Sequence, residues 1–288
     1  MPLRTDLSIR DATLVDLPAI AALRQSVGWT PHDWAMRAVI GQPDSIFVVA
    51  ETGEGELAAM GSGIAYAPAL GFVGNMVVAE GHRRQGIGSE ILELVTAWLE
   101  AAGCHRFELN ATDEGRPLYE RHGFVSRGTS LAAGISGRAL PRLGPVRDAR
   151  PLERGDIARL ADYDRPRFGG DRSRLLAVLG TNDVARGYVV ERDGEIEGFA
   201  FVQAEEQRIG PMVAGSPEVA ASLVAAVFGD RPELADVRLN LPPGNAAGAA
   251  WLRRVRVAAM DWDGRMARGP DVPRRDDTIY QMTVGPLG

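Results

Sequence analysis

A chain of 288 residues is long for one hydrophobic core and comfortable for two domains of about 140 residues each. Its 45% apolar and 24% charged composition is that of a globular protein, and a net charge of −6 argues against a nucleic-acid partner at the level of the whole chain. Cys104 is the only cysteine, which excludes an internal disulfide, and with only four scattered histidines no metal site is expected.

All 32 basic residues are arginine, so the chain presents no lysine of its own. The opening Met-Pro-Leu-Arg-Thr-Asp has no apolar core behind it to make a secretory leader. No run of about 18 apolar residues is present to span a membrane. A cytoplasmic location without a membrane partner is the expectation.

In chain order, Ile9-Arg10-Asp11-Ala12 reads as a short strand, followed by a helix containing Ile20-Ala21-Ala22-Leu23. Phe47-Val48-Val49 ahead of Thr52-Gly53 reads as one arm of a hairpin. The run from Phe72 to Val78 is apolar and rich in β-formers, which predicts a buried strand. From Ser89 to Ala101 the residues Ile91, Leu94, Val95, Trp98 and Leu99 fall at helical spacing and make one core-facing stripe.

Between that strand and that helix lies Arg83-Arg84-Gln85-Gly86-Ile87-Gly88. The first turn of a helix carries N–H groups without internal partners, and the macrodipole adds partial positive charge. Gly86 and Gly88 remove Cβ atoms that would hold an anion away, and the arginines add charge. A pyrophosphate suits this arrangement best. A Walker-type loop is excluded, because no GxxxxGK[ST] is present. A dinucleotide-binding turn gains apparent support from Glu108, 20 residues after Gly88. It fails because Ile91 stands where the third glycine belongs, and the glycines do not directly follow the strand.

The second half of the chain repeats the first. Val146-Arg147-Asp148-Ala149 and Ile157-Ala158-Arg159-Leu160 match the opening strand and helix at an offset of 137. Tyr188-Val189-Val190 before Asp193-Gly194 matches the hairpin arm, Gly210-Pro211-Met212-Val213-Ala214 matches Gly74 to Val78, and Leu239-Asn240 matches Leu109-Asn110. The Gly- and Ala-rich stretch from Gly128 to Pro145 reads as the connection. The expected fold class is α/β (a mixed, mostly antiparallel sheet covered by helices), present twice. The domains are drawn at 1–134 and 146–288, with a linker at 135–145.

Strand, then RxxGxG, then helix resembles the acyl-CoA-binding motif of the GCN5-related N-acetyltransferases (GNAT). Glu108-Leu-Asn-Ala-Thr-Asp-Glu-Gly-Arg-Pro-Leu-Tyr119-Glu-Arg-His-Gly-Phe124 resembles the segment that completes that fold. The whole chain resembles the tandem type. The resemblance implies acetyl-CoA as co-substrate, with the pantetheine arm on the open main chain of Met76, Val77 and Val78. It implies pyrophosphate on the amides of Arg84, Gln85, Gly86, Ile87, Gly88 and Ser89, helped by Arg83, with Thr112 as a further polar contact. It also implies direct attack of a neutral amine on the thioester, an oxyanion stabilised by N–H near Val78, and Tyr119 as general acid.

No base is singled out among Glu108, Glu80 and Asp33. The acceptor reading that leads is a small-molecule primary amine. A protein or peptide N-terminus or lysine, and a non-catalytic acyl-CoA sensor, stay open beside it. The chain is expected to act as a monomer or homodimer.

The second half keeps the pattern of the fold without the chemistry. Val219 to Val224 stand opposite Arg83 to Gly88, and Ser216-Pro217-Glu218 reads as an N-cap, a Pro at N1 and an acidic first turn. Leu252 falls opposite Tyr119. This half is expected either to be purely structural or to supply a wall of the acceptor pocket. For the latter, Asp164, Phe168 and Asp171 are the candidates, beside Trp29, Asp33 and Trp34 of the first half.

Overall fold

The computed structural model describes residues 7–181, 184–203, 207–282 and 287–288. In chain order the elements are β1 (Leu7–Asp11), α1 (Leu17–Ser26), α2 (Asp33–Arg37), β2 (Ser45–Thr52), β3 (Leu57–Tyr66), β4 (Leu70–Val78), α3 (Ile87–Ala101), β5 (Arg106–Asn110), α4 (Arg116–Arg121), β6 (Val125–Ser126) and β7 (Ser130–Ser136). They continue with β8 (Ala149–Pro151), α5 (Ile157–Phe168), α6 (Ser173–Thr181), β9 (Arg186–Arg192), β10 (Glu195–Gln203), β11 (Arg208–Ala214), α7 (Pro217–Asp230), β12 (Asp236–Leu241), α8 (Ala246–Arg254), β13 (Ala259–Trp262), β14 (Arg265–Arg268) and β15 (Ile279–Gln281).

Two compact units result. The first comprises Met1–Val125, Met266–Asp271 and Gly285–Gly288, and the second Ser126–Arg265 and Val272–Val284. The first sheet has the order β1-β2-β3-β4-β5-β14-β6, and the second β13-β7-β12-β11-β10-β9-β8. Read from their first strands, the two orders are the same, with β14 and β7 at the same place. Each sheet is therefore completed by a late strand of the other repeat. The stretch expected to be a connection carries β7, paired with β12 from Leu131↔Leu241 to Ser136↔Asp236. This differs from boundaries at 134 and 146. A strand that supplies one face of a core cannot be distinguished by composition from a small-residue linker when it reads Ser-Leu-Ala-Ala-Gly-Ile-Ser.

The repeat is real, but its opening register is 140 rather than 137. Arg10 pairs in the β1–β2 ladder with Val49, and Arg150 in the β8–β9 ladder with Val189. Arg10 donates to Asp16 (2.8 and 2.9 Å) and to Glu51 (2.6 Å). Arg150 makes the same clamp with Asp156 (2.7 and 2.8 Å) and Glu191 (2.9 Å). Bidentate guanidinium–carboxylate pairing fixes both partners, so each clamp sets the angle at which its strand enters the following helix.

In the first unit, α3 lies on β3 and β4. Ile91, Val95 and Leu99 are fully buried, whereas Leu94 of the expected stripe is 38% exposed. Each buried aliphatic side chain contributes about 1.5–3 kcal/mol. The close approach requires Gly61 and Gly63 in β3, where an added Cβ would stand 2.4 Å from Ile91 Cγ2 and 2.9 Å from Val95 Cγ1. In the second unit, α7 buries Val219, Leu223, Val224 and Val227 in the same role. Ser216 caps it by accepting from Val219 N–H, as the sequence predicts.

Candidate active site

β4 and β5 run parallel and stay paired only from Leu70↔Arg106 to Val73↔Leu109. Beyond Val73, β4 continues five residues to Val78 while pairing with β3 alone. The two strands thus separate into a cleft. On the β3 side the register slips between Ser62↔Gly74 and Met60↔Val77, so β4 holds one extra residue at Asn75-Met76. Asn75, in the bulge, takes the left-handed conformation (φ 55°).

The ladder decides which main-chain groups face the cleft. Ala79 N–H donates to Ala58 C=O (2.8 Å), which makes that pair a hydrogen-bonded one. By antiparallel alternation Val77↔Met60 is the next such pair, and Val78↔Ala59 is not. Val77 spends its main-chain groups on β3, so of the three residues expected to bind pantetheine, Val78 is the one whose ladder position turns its N–H and C=O to the open side. Arg83 Nε donates to the Val78 carbonyl (3.1 Å), and its guanidinium lies 3.4 Å from Glu114.

The turn between β4 and α3 is built from alternating backbone hand. Arg84 (φ 59°) and Gly86 (φ 85°) are left-handed, on either side of Gln85. Such alternation aims neighbouring N–H groups to one side and makes an anion-binding concavity. Gly86 is the N-cap of α3, and the first helical bonds are those of Ser89 and Glu90 N–H to the Gly86 carbonyl (3.0 and 3.1 Å). The amides of Ile87 and Gly88 lie ahead of that ladder. A Cβ on Gly88 would meet Leu118 at 3.4 Å and Val78 at 3.5 Å, so this glycine brings the helix start close to the cleft. The residues from Arg83 to Ser89 form one contiguous turn ahead of α3.

Tyr119 lies on α4, with its ring edge-on to Phe124 (6.0 Å between centroids) and over Gly115. It is buried among Phe107, Leu109 and Phe124, and that burial pushes its phenol well above the ordinary tyrosine range. The Thr112 hydroxyl accepts from Gly115 N–H (3.2 Å), a local turn contact that helps start α4.

Several expected substrate residues have other employment. Glu108 is not a solvated carboxylate: it is 2% exposed and accepts from Arg106 Nε (3.1 Å), whose own NH1 donates to the Gly269 carbonyl (2.8 Å). A carboxylate at period two from an arginine on the same strand face finds its partner there. Asp164 is 1% exposed and held by Arg172 through two bonds (2.7 and 2.8 Å). The same guanidinium covers the Phe168 ring at 4.1 Å, and Asp171 accepts from Ser173 N–H (2.8 Å) at the start of α6. These three serve the interior and the helix start of the second unit. In the first unit Asp33 is exposed at the start of α2, and Trp29 and Trp34 are half-buried.

Sequence reading missed Arg24, Ser62 and Asn75. All three are buried and linked at the β4 bulge, Arg24 NH1 to Asn75 Oδ1 (2.5 Å) and Asn75 Nδ2 to Ser62 Oγ (2.9 Å). Two signals were available: an arginine directly after Leu23 on the apolar face of a helix, and an amide inside an apolar strand.

The second unit presents the same cleft, but filled. β11 and β12 meet at Arg208↔Arg238. Higher up, β15 pairs with β11 at Met212↔Gln281 and Val213↔Ile279. The other edge of β11 is taken by β10, so β15 lies on the β12 side, and the Gln281 side chain accepts from Asn240 N–H of β12. Met212 and Val213 match Met76 and Val77. The turn that follows is only Gly215-Ser216, without a left-handed loop. Leu252 stands at the place of Tyr119, fully buried. Among the described residues no cluster of metal-binding side chains occurs, and no helix is long and apolar enough to cross a membrane.

Comparison with known proteins agrees with this geometry. Residues 15–124 match the profile of the acetyltransferase (GNAT) family, and residues 160–281 that of an acetyltransferase (GNAT) domain. The chain belongs to the GNAT family of N-acetyltransferases, in its tandem form. It is 27% identical over 174 residues to an uncharacterized N-acetyltransferase, YitH, of Bacillus subtilis. That match spans 59% of this chain and 60% of the relative's length. A crystal structure from Pyrococcus horikoshii, designated an acetyltransferase, superimposes with a TM-score of 0.83 at 21% identity over 100% of this chain and 98% of its own. A tandem GNAT protein from the clavulanic acid biosynthesis pathway gives 0.61 at 12% identity, over 92% of this chain and 99% of its own. These two likenesses are of fold.

Proposed function

We propose that the chain transfers an acetyl group from acetyl-CoA to a primary amine, and that the transfer takes place in the first unit. The observation that carries this reading is the contrast between two clefts of one fold. The cleft beside Val78 is open and leads to the Gly86 turn, whereas its counterpart holds β15 and lacks that turn.

The residues present fit the cofactor. The edge of β4 beyond Val73, unpaired with β5 along the bulged stretch at Asn75-Met76, leaves room for a pantetheine arm. The turn from Arg83 to Ser89 offers amides and cationic side chains to a pyrophosphate. Bound there, acetyl-CoA supplies an activated acyl group with a thiolate leaving group of ordinary pKa about 8.5.

Val78 N–H would donate to the acyl oxygen, where charge develops as the amine nitrogen bonds to the carbonyl carbon. As the carbon–sulfur bond breaks, Tyr119 O–H would return a proton to sulfur. A phenol is protonated at neutral pH, and burial extends that to higher pH; acid assistance of this kind is worth about 10²–10⁴ in rate. The amine's surplus proton passes to solvent, since Glu108 is committed to Arg106. Direct transfer is favoured over an acyl-cysteine route, because burial pushes the Cys104 thiol up to about 11.

The acceptor is proposed to be a small primary amine, bordered by the loop that carries Trp29 and by Trp34 at the start of α2. The test is thiol release from acetyl-CoA across a panel of primary amines and of peptides with free N-termini or lysines. Turnover with small amines supports the proposal. Turnover confined to peptides replaces the acceptor, and CoA binding without any turnover replaces the enzyme by an acyl-CoA sensor.

A further inference from the structure

Arg24 is a charged residue, 3% exposed, on the side of α1 that faces the sheet. Its NH1 donates to Asn75 Oδ1, its Nε donates to the Thr30 carbonyl (2.8 Å), and its guanidinium lies 5.3 Å from the centre of the Trp29 ring. Asn75 passes the chain on to Ser62 in β3. A polar path thus runs from the loop after α1, through the β4 bulge, into the middle of the sheet. Burying a guanidinium opposes folding unless its donors are satisfied, and an apolar side chain would fill the same space without that penalty.

The second unit serves as an internal control. Its α5 places Asp164 where α1 has Arg24, each eight residues after the aspartate of the shared clamp. Its β11 also carries a bulge, displaced by one residue, between Ala200↔Met212 and Val202↔Ile209. Matched through the neighbouring ladder, where Met60 faces Val49 and Phe199 faces Val189, Pro211 stands for Asn75 and Phe201 for Ser62. Asp164 turns to Arg172 instead of the bulge. The bulge therefore forms without the network, and the network belongs to the unit whose cleft is open.

We propose that Arg24 is a positioning residue for acyl transfer. Through Asn75 it holds the bulge in one conformation, and with it the direction of the Val78 main-chain groups that receive the thioester. Through Thr30 and Trp29 it ties the loop between α1 and α2 to the same point. The reason is conformational: φ of 55° is uncommon for residues other than glycine, asparagine tolerates it better than most, and here its amide is clamped at both ends. This proposal rests on the reading of the β4–β5 cleft as the cofactor site.

The test titrates CoA into the full chain, with steady-state kinetics and thermal unfolding alongside. Arg24→Met and Asn75→Ala are each expected to weaken CoA binding on the order of tenfold, the scale of one charge-assisted hydrogen bond. Asn75→Gly should bind CoA nearly as the wild type does, and added to Arg24→Met it should recover most of the loss, because glycine adopts the bulge conformation unaided. A purely space-filling Arg24 gives no such rescue, and that result overturns the proposal. Should Arg24→Met fail to fold, Asn75→Ala against Asn75→Gly makes the same comparison. A wild type that binds no CoA overturns the cofactor reading and this proposal together. A wild type that binds CoA no better than Arg24→Met and Asn75→Ala overturns the positioning role alone.

Discussion

Tyr119 and Leu252 hold the same place in the two units: the Tyr119 carbonyl accepts the N–H of Phe124 and the Leu252 carbonyl that of Val257, both at 3.0 Å. Each closes the end of a short helix and sends its side chain into its own core. The shared position separates the structural part of the role from the chemical part. Tyr119→Phe keeps the ring and should leave CoA affinity and thermal stability unchanged, while kcat falls by about 10²-fold or more. Leu252→Ala should cost about 2–5 kcal/mol of stability, read from denaturant unfolding, without changing kcat of the folded enzyme. Because burial raises the Tyr119 pKa, the acid form persists on the alkaline side. The wild-type rate should show no alkaline decline from Tyr119 below about pH 10.

The strand exchange makes the first unit dependent on chain far downstream. Met266 of β14 is fully buried beside Phe107, Leu109 and Phe124. A fragment of residues 1–134 lacks that strand and leaves the β5 edge bare. It should bind ANS and lack near-ultraviolet circular dichroism, the signs of lost tertiary packing. A chain in which residues 265–271 are joined after 1–126 should regain cooperative unfolding. A fragment 1–134 that unfolds cooperatively by itself would count against the exchange.

The Arg10–Asp16–Glu51 clamp sets an acid limit. Hydrogen bonds from Arg10 hold the Asp16 carboxyl down to about 2 in the folded chain. A depressed folded pKa contributes stability that is complete above the unfolded value of about 3.9 and disappears as pH falls through the folded one. Asp16→Asn should therefore be less stable than the wild type at pH 7, by about 1 kcal/mol given the partly exposed arginine. The gap should shrink between pH 4 and pH 2. A gap independent of pH over that range would mean that the charge on Asp16 is not what the clamp uses.

Much of this was legible in the chain, for identifiable reasons. The turn from Arg83 to Gly88 was readable because helix starts and glycines have local rules, and the Ser216 cap for the same reason. The repeat was visible through its hairpins and β4-like strands. Its opening register was not, because Val146-Arg147-Asp148-Ala149 imitates Ile9-Arg10-Asp11-Ala12 while the true partner of Arg10 is Arg150, recognisable only by what it clamps. Burial of Glu108 and Asp164 depends on arginines that the fold brings alongside. The plugging of the second cleft by β15 depends on a three-residue strand more than sixty residues from β11, which no local pattern marks.

On the proposed reading the chain joins two related folds and holds one cofactor site. Calorimetric titration of the full chain with CoA tests it most directly, in the wild type and in Gly86→Asp, which puts a negative side chain on the left-handed cap of α3. The expected result is one CoA per chain in the wild type and none in the variant. Two CoA per chain, or one that persists in Gly86→Asp, would contradict it.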